Sequence, residues 1–292
     1  MITLKNAALR VTVNELGAEL TSVRDIESNT EYLWQADPLF WGRHAPVLFP
    51  IVGRLHNDQY QFNDHTYHMT QHGFARDQDF LVTSQSQTSV TLTLKDNDET
   101  RAQYPFSFQL DVMYSLLERQ VSVEYRVVNP GHEPLLFSIG GHPGFNIPMG
   151  ATTGTFKDYT ISATPAQLYP SLTLAGPFSD VENPTTINLE RPLQLNHNLF
   201  EHDAKILELG QQETTLTLTS NLNERGVAMT LQNADYVGIW SPFPQKAPFV
   251  CIEPWWGIAD AVNSDGQLEH KFGIHQLVPQ SMFNADFSLE FF

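Results

Sequence analysis

A chain of 292 residues, 41% hydrophobic and 17% charged, has the apolar material for a large core and is excluded from the disordered class. Its 33 acidic and 16 basic residues leave a net charge of -17, a field that repels nucleic acid and anionic membranes and leaves a small molecule as the partner. With one cysteine, Cys251, no bilayer-length apolar stretch and no basic-then-apolar opening segment, neither a disulfide framework nor a membrane span nor secretion is expected, and the predicted location is cytoplasmic.

Taken in chain order, the predicted elements are almost all strands. Leu9, Val11 and Val13 alternate with Arg10, Thr12 and Asn14, the period of a strand with one buried face, and Gly17 breaks the run. Residues 18–26 and 31–34 read as two further short strands across the turn-forming Glu27-Ser28-Asn29-Thr30, which gives a β-meander. From Trp41 to Arg54, Pro46 and Pro50 would deny ladder hydrogen bonds, so an irregular, well-packed loop is predicted there. A second polar cluster, Gln71-His72-Gly73-Phe74-Ala75-Arg76-Asp77, follows. Alternation is cleanest at Val90, Leu92 and Leu94 and at Val121, Val123, Tyr125 and Val127, which read as half-buried antiparallel strands. Residues 98–103 predict one helical turn stopped by Pro105, and no long amphipathic helix is expected. Pro148, Gly150, Pro165, Pro170, Pro177 and Pro184 predict a loop-rich interval before strands resume at 206–209, 215–219 and 227–231. Residues 236–240 and 249–252 are continuously apolar and read as strands buried on both faces. No linker or repeat divides the chain, which predicts a single all-β, antiparallel domain over residues 1–292.

Two stretches depart from generic β pattern. In Ile139-Gly140-Gly141-His142-Pro143-Gly144-Phe145-Asn146, two glycines allow backbone conformations closed to other residues, so the strand can bulge and aim His142 into a cleft. Imidazole titrates near neutrality and can give or take a proton there. In Glu253-Pro254-Trp255-Trp256-Gly257, the proline holds Glu253 extended at a stiff strand end and the tryptophans desolvate it. Burial disfavours the anion and makes it a stronger proton acceptor while ionised. On facing sides of one cleft, His142 and Glu253 would be an acid-base pair among aromatic faces suited to a sugar ring. Plainer readings stand beside these: a histidine at a bulge, a carboxylate capping a turn, and Arg54 or Arg76 as surface ion-pair partners. A metal site from His65, His68 and His72 lacks the second half of any zinc pattern, and phosphate-cradling and dinucleotide motifs are absent, so no metal or cofactor is expected.

Gly140-Gly141-His142-Pro143-Gly144-Phe145-Asn146, Gln71-His72-Gly73-Phe74-Ala75-Arg76 and Cys251-Ile252-Glu253-Pro254-Trp255-Trp256-Gly257 resemble motifs of the aldose 1-epimerase (galactose mutarotase) family, in a variant similar to its LacX-like branch. Gly17-Ala18-Glu19-Leu20 and Ala45-Pro46-Val47-Leu48-Phe49-Pro50 match as well, so the likeness spans nearly the whole chain in motif order. It implies a large antiparallel β-sandwich of the galactose mutarotase-like (supersandwich) type. It also implies a cofactor-free isomerase of carbohydrate metabolism, galactose metabolism included, that interconverts the α and β anomers of an aldohexose. Glu253 would take the C1 hydroxyl proton while His142 protonates the ring oxygen, and reclosure after rotation about C1–C2 gives the other anomer. His72 would hydrogen-bond sugar oxygens, Arg54 a hydroxyl, and Asp203, in Phe200-Glu201-His202-Asp203, would bind substrate with Arg76 and Trp255. The chain departs from galactose mutarotases by Gln-His-Gly-Phe-Ala-Arg in place of a His-Gly-Gly element and by Pro143-Gly144, departures that bear on substrate identity. The alternatives are a hexose-6-phosphate 1-epimerase, with Arg54 and Arg76, aided by Arg43 and Lys246, taking the phosphate, and a non-catalytic sugar-binding protein. The acidic field favours a neutral sugar.

Overall fold

The computed structural model describes residues 1–150 and 153–292. Two large sheets of antiparallel-paired strands enclose the main core. The nine-stranded sheet runs in the order Leu193–Gln194, Tyr159–Thr164, Thr214–Ser220, Gly226–Leu231, Met282–Phe291, Gln120–Val128, Gln109–Leu117, Ser89–Lys95, Leu81–Gln85. The other contains Phe178–Asn188, Leu168–Ala175, Lys205–Glu208, Tyr236–Trp240, Phe249–Trp256, Ile139–Gly141 and Val47–Leu48, with Gly144–Asn146 also pairing to Phe249–Trp256. A three-stranded meander, Ile2–Lys5, Leu9–Val13 and Leu20–Asp25, precedes them. Asp98–Gln103 is an α-helix with an Asn97 capping box. No helix among the described residues is long and apolar enough to cross a membrane.

The strand Phe249–Trp256 shows how sequence period becomes site. Every residue in it is buried, but the two faces go to different places. Val250, Ile252 and Trp256 join the core between the sheets, where Trp256 meets Tyr125 of the opposite sheet edge-on. Phe249 and Cys251 belong to one apolar cluster on the other face, and Trp255 to another. A one-residue slip would push Glu253 into the dry core and expel aliphatic side chains worth about 1.5–3 kcal/mol each, so the register that presents Glu253 is fixed by packing.

Four sequence expectations change. The proline-rich interval is not mainly loop: Tyr159–Thr164, Leu168–Ala175 and Phe178–Asn188 are strands. Pro184 lies in an edge strand, and Pro170 pairs with Thr186 on that side only, because its other neighbour engages just Ser171 and Leu172. A missing N–H costs nothing at such positions. Residues 31–34 make isolated bridges instead of a strand, and Val47–Leu48 inside the predicted loop pairs with Gly140 and Gly141. Finally, Gly140, Gly141 and Gly144 do not carry positive φ. They are glycine for space: a Cβ on Gly140 would lie 2.8 Å from the Pro254 carbonyl oxygen, and one on Gly141 2.7 Å from the Tyr125 hydroxyl.

Candidate active site

Ile139–Gly141 and Gly144–Asn146 pair with the same strand, at Gly140↔Trp255 and Gly144↔Cys251. The register is unchanged across the gap, so His142 stands directly opposite Glu253 as a cross-strand pair. His142 Nε2 and Glu253 Oε2 are 3.1 Å apart, and both residues are buried. The sequence predicted groups facing each other across a cleft; the structure puts them side by side on one wall, because they occupy neighbouring strands of a single sheet face. The ladder to the histidine turn is interrupted at Pro254, which has no N–H to donate.

The pair opens on a cavity of about 380 Å³ whose lining includes Arg54, His72, Arg76, His142, Asp203, Glu253 and Trp255, so every predicted site residue is gathered there. Trp41, Gln71 and Trp240 also line it and were not singled out by sequence. The Trp41 ring lies 4.7 Å from that of His142, and Trp240 meets His142 edge-on at 5.5 Å. Trp41 comes from a loop with no periodicity, and its role rests on Glu19: that carboxylate accepts the backbone N–H of His44 at 2.8 Å and of Ala45 at 3.1 Å. The His44 carbonyl in turn accepts Gly144 N–H, which ties this loop to the histidine turn.

His72 is oriented by Gly53, whose N–H donates to His72 Nδ1 at 3.1 Å. In neutral imidazole that leaves the proton on Nε2. Burial, then the charges of His142 and the arginines Arg76, Arg54 and Arg43, keep His72 well below its usual pKa and so neutral. The Gln71 amide nitrogen sits 3.2 Å from His72 Nε2, while Gln71 Oε1 accepts from Arg54 Nη2 at 3.1 Å. Two donors therefore point at the same space, an arrangement that suits a ligand oxygen. Gly53, at φ 73, must be glycine because a Cβ would meet Ala259 at 2.4 Å.

Electrostatics separate the carboxylates and imidazoles. Glu253 is raised well above the ordinary carboxylate range by burial, then by the negative charge of Asp203. Trp255 holds back part of that rise, its buried indole N–H facing the carboxylate without a hydrogen-bond partner of ordinary geometry. His142 falls to about 3, through burial and then the charge of Arg76. Asp203, at φ 70, is also raised by burial, against which Ala204 N–H and the Trp240 side chain act. Burial thus favours the uncharged form of the pair, carboxylic acid beside neutral imidazole.

The cations expected to add positive charge are differently placed. Arg76 Nη2 donates to the Gln71 carbonyl at 2.6 Å, and Arg43 Nη2 pairs with Asp77 at 2.8 Å. Lys246 lies outside the site, in a separate pocket with Phe156 and His197, because its chain segment turns away before Phe249. His65 and His68 project exposed from the hairpin of Gln59–Phe62 and His65–His68, away from His72, so those three histidines do not form a cluster.

The sequence model of the family described as Aldose 1-epimerase matches residues 1–274. The chromosomal LacX protein of Lactococcus lactis subsp. lactis is 32% identical over 291 residues, covering 95% of each chain. Among solved structures, a galactose mutarotase related enzyme from Lactobacillus acidophilus aligns with a TM-score of 0.97 at 41% identity, over 100% of this chain and 97% of the other. A galactose mutarotase-like protein from Lactobacillus casei ATCC 334 aligns at 0.91 and 34% identity over the full length of both. The cavity with its cross-strand histidine and glutamate is thus part of an isomerase fold, and the chain belongs to the aldose 1-epimerase family, on its LacX-like branch.

Proposed function

We propose that the protein interconverts the α and β anomers of a neutral aldohexose, with Glu253 and His142 as the proton-transferring pair. The observation that carries this reading is their placement side by side, 3.1 Å apart, at the cavity wall. The C1 hydroxyl and the ring oxygen are attached to one carbon, so adjacent groups reach both at once. The reacting form of the pair has Glu253 as the carboxylate and His142 as the imidazolium, the form that burial disfavours. Glu253 takes the hydroxyl proton, His142 protonates the ring oxygen, the C1–O5 bond breaks, and the pair is left uncharged beside the free aldehyde. That is the form burial favours, so the energy spent in forming the charged pair is returned as the ring opens. Rotation about C1–C2 and reversed transfers close the other anomer. His72 Nε2–H donates to the ring oxygen region, Trp41, Trp240 and Trp255 cover apolar sugar surface, and Arg54 and Asp203 hold hydroxyls. Anomer exchange followed by NMR across a panel of free and 6-phosphorylated aldoses tests the reading, and exchange at the uncatalysed rate throughout would refute it.

The pair must hold one proton to work. The rate should therefore fall on the alkaline side as that proton is lost, with an apparent pKa above that of an ordinary carboxylate. Since the charge of Asp203 helps raise Glu253, Asp203→Asn should lower the Glu253 pKa and move the alkaline limb of kcat/KM to lower pH, besides weakening sugar binding. A limb that stays in place or moves upward contradicts this coupling.

A second reading, a hexose 6-phosphate as substrate, is favoured by Arg54 and Arg76 both lining the cavity. Against it, Arg76 is engaged by Gln71, Arg43 by Asp77, Lys246 lies elsewhere, and Asp203 and Glu253 add negative charge. Screening over roughly 8 Å leaves this local balance, and not the net charge, to decide. We expect a higher kcat/KM for glucose or galactose than for the matching 6-phosphate. The opposite preference, abolished selectively by Arg76→Ala, would establish the phosphate reading.

A further inference from the structure

We propose that the wall bearing the acid-base pair is also a binding site for a soft divalent cation, Zn²⁺ or Cd²⁺, with His142, Cys251 and Glu253 as ligands and the fourth position open to the cavity. The three residues each offer a ligand atom, all within 4.8 Å of one another, and all three are buried. The sheet explains why. Cys251 and Glu253 are two apart on one strand and so project from the same face, while His142 stands across from Glu253 and diagonal to Cys251. Gly144, which pairs with Cys251, lets Trp34, Trp41 and Phe249 close over this part of the wall.

Tetrahedral zinc with bonds of about 2.0–2.3 Å separates its ligand atoms by about 3.3–3.8 Å, so binding asks the thiol to approach by about 1 Å, and the larger Cd²⁺ asks for less. Thiolate, imidazole and carboxylate form a donor set matched to these ions and mismatched to Mg²⁺. Charge also fits. A dication with one thiolate, one carboxylate and one neutral imidazole is neutral overall, whereas neither anion alone is favoured in this dry wall. Binding replaces the Cys251 thiol proton and the proton shared by the pair with metal bonds, and both protons leave to solvent. His142 and Glu253 line the cavity and Cys251 does not, so the ion enters through the sugar space and holds the pair away from substrate.

The test titrates the intact protein with CdCl₂ and reads the ultraviolet thiolate-to-cadmium charge-transfer band, which needs no turnover and so stands or falls separately from the epimerase reading. We expect a band saturating at one ion per chain, buffer-dependent proton release by calorimetry, and inhibition of anomer exchange reversed by EDTA, with Mg²⁺ inert. Cys251→Ala should abolish the band and weaken Cd²⁺ by more than about 100-fold, since even outer partners of metal sites are worth 10- to 100-fold. Its rate in the absence of metal should be unchanged. Cys251→Val fills the site with a non-ligating apolar side chain and serves if the alanine variant fails to fold. Absence of the band at saturating Cd²⁺, or equal inhibition of wild type and both variants, would overturn the site.

Discussion

Glu253→Gln should reduce anomer exchange by about a hundredfold to ten-thousandfold, the usual loss when a positioned acid or base is removed, and His142→Asn should do the same. Glutamine is nearly isosteric, keeps a donor for His142 Nε2 at 3.1 Å, and cannot accept the hydroxyl proton. The same substitution removes a buried ionisable group that its surroundings press toward neutrality, so the thermal midpoint should hold or rise while the rate collapses. The double variant should cost little more than either single one, because in the proposed mechanism the two residues move one proton inventory as a unit. Near-normal exchange in either single variant, on protein with unchanged unfolding, would remove the pair from the mechanism.

The largest expected loss of stability lies behind the site. Lys271 is buried and donates through Nζ to the Ile258 carbonyl at 2.6 Å and to Asp260 Oδ1 at 3.2 Å. Asp260 Oδ2 accepts His56 N–H at 3.0 Å, and Asp260 N–H donates to the Arg54 carbonyl at 3.0 Å. One ion pair thus ties residues 258–260 to residues 54–56, two segments that carry cavity lining. Lys271→Met strands the Asp260 charge and should cost about 3–5 kcal/mol, or roughly 10 °C in the thermal midpoint for a chain of this size. Adding Asp260→Asn should recover part of it, since the stranded charge is the expensive element. Well below that midpoint, KM should rise more than kcat falls, because Arg54 is displaced and the proton-transferring pair is not. A single-variant cost under about 1 kcal/mol would show that the pair is solvated in solution.

What could be read from sequence tracks how local the signal is. Val90 to Leu94 and Val121 to Val127 alternate without interruption, and both segments are strands of the nine-stranded sheet as expected. His142 and Glu253 stood out because each sits in a short run of unusual composition on an otherwise regular strand. Pro170 and Pro184 misled, because tolerance of proline depends on which neighbour lies on the N–H side, and that is a property of sheet order. The facing-cleft geometry failed for the same reason: cross-strand register joins residues more than a hundred positions apart and leaves no periodic trace. Trp41, Gln71 and Trp240 reach the cavity from separate elements, and only Gln71 lay in a stretch whose composition attracted notice. The Asp260–Lys271 pair was invisible because nothing in either neighbourhood marks its partner.

Strand Met282–Phe291 lies between Gln120–Val128 and Gly226–Leu231 and bonds to both. During synthesis, then, the two four-stranded halves of the nine-stranded sheet each wait with an unpaired edge until residue 291 has left the ribosome, and Ala285, Phe287 and Leu289 are missing from the core until that moment. Long-range pairings of this kind close slowly and leave sticky edges open meanwhile. A chain stopped at residue 281 would keep every side chain of the cavity and still be unable to hold it, making the yield of folded protein depend on a segment that touches no sugar.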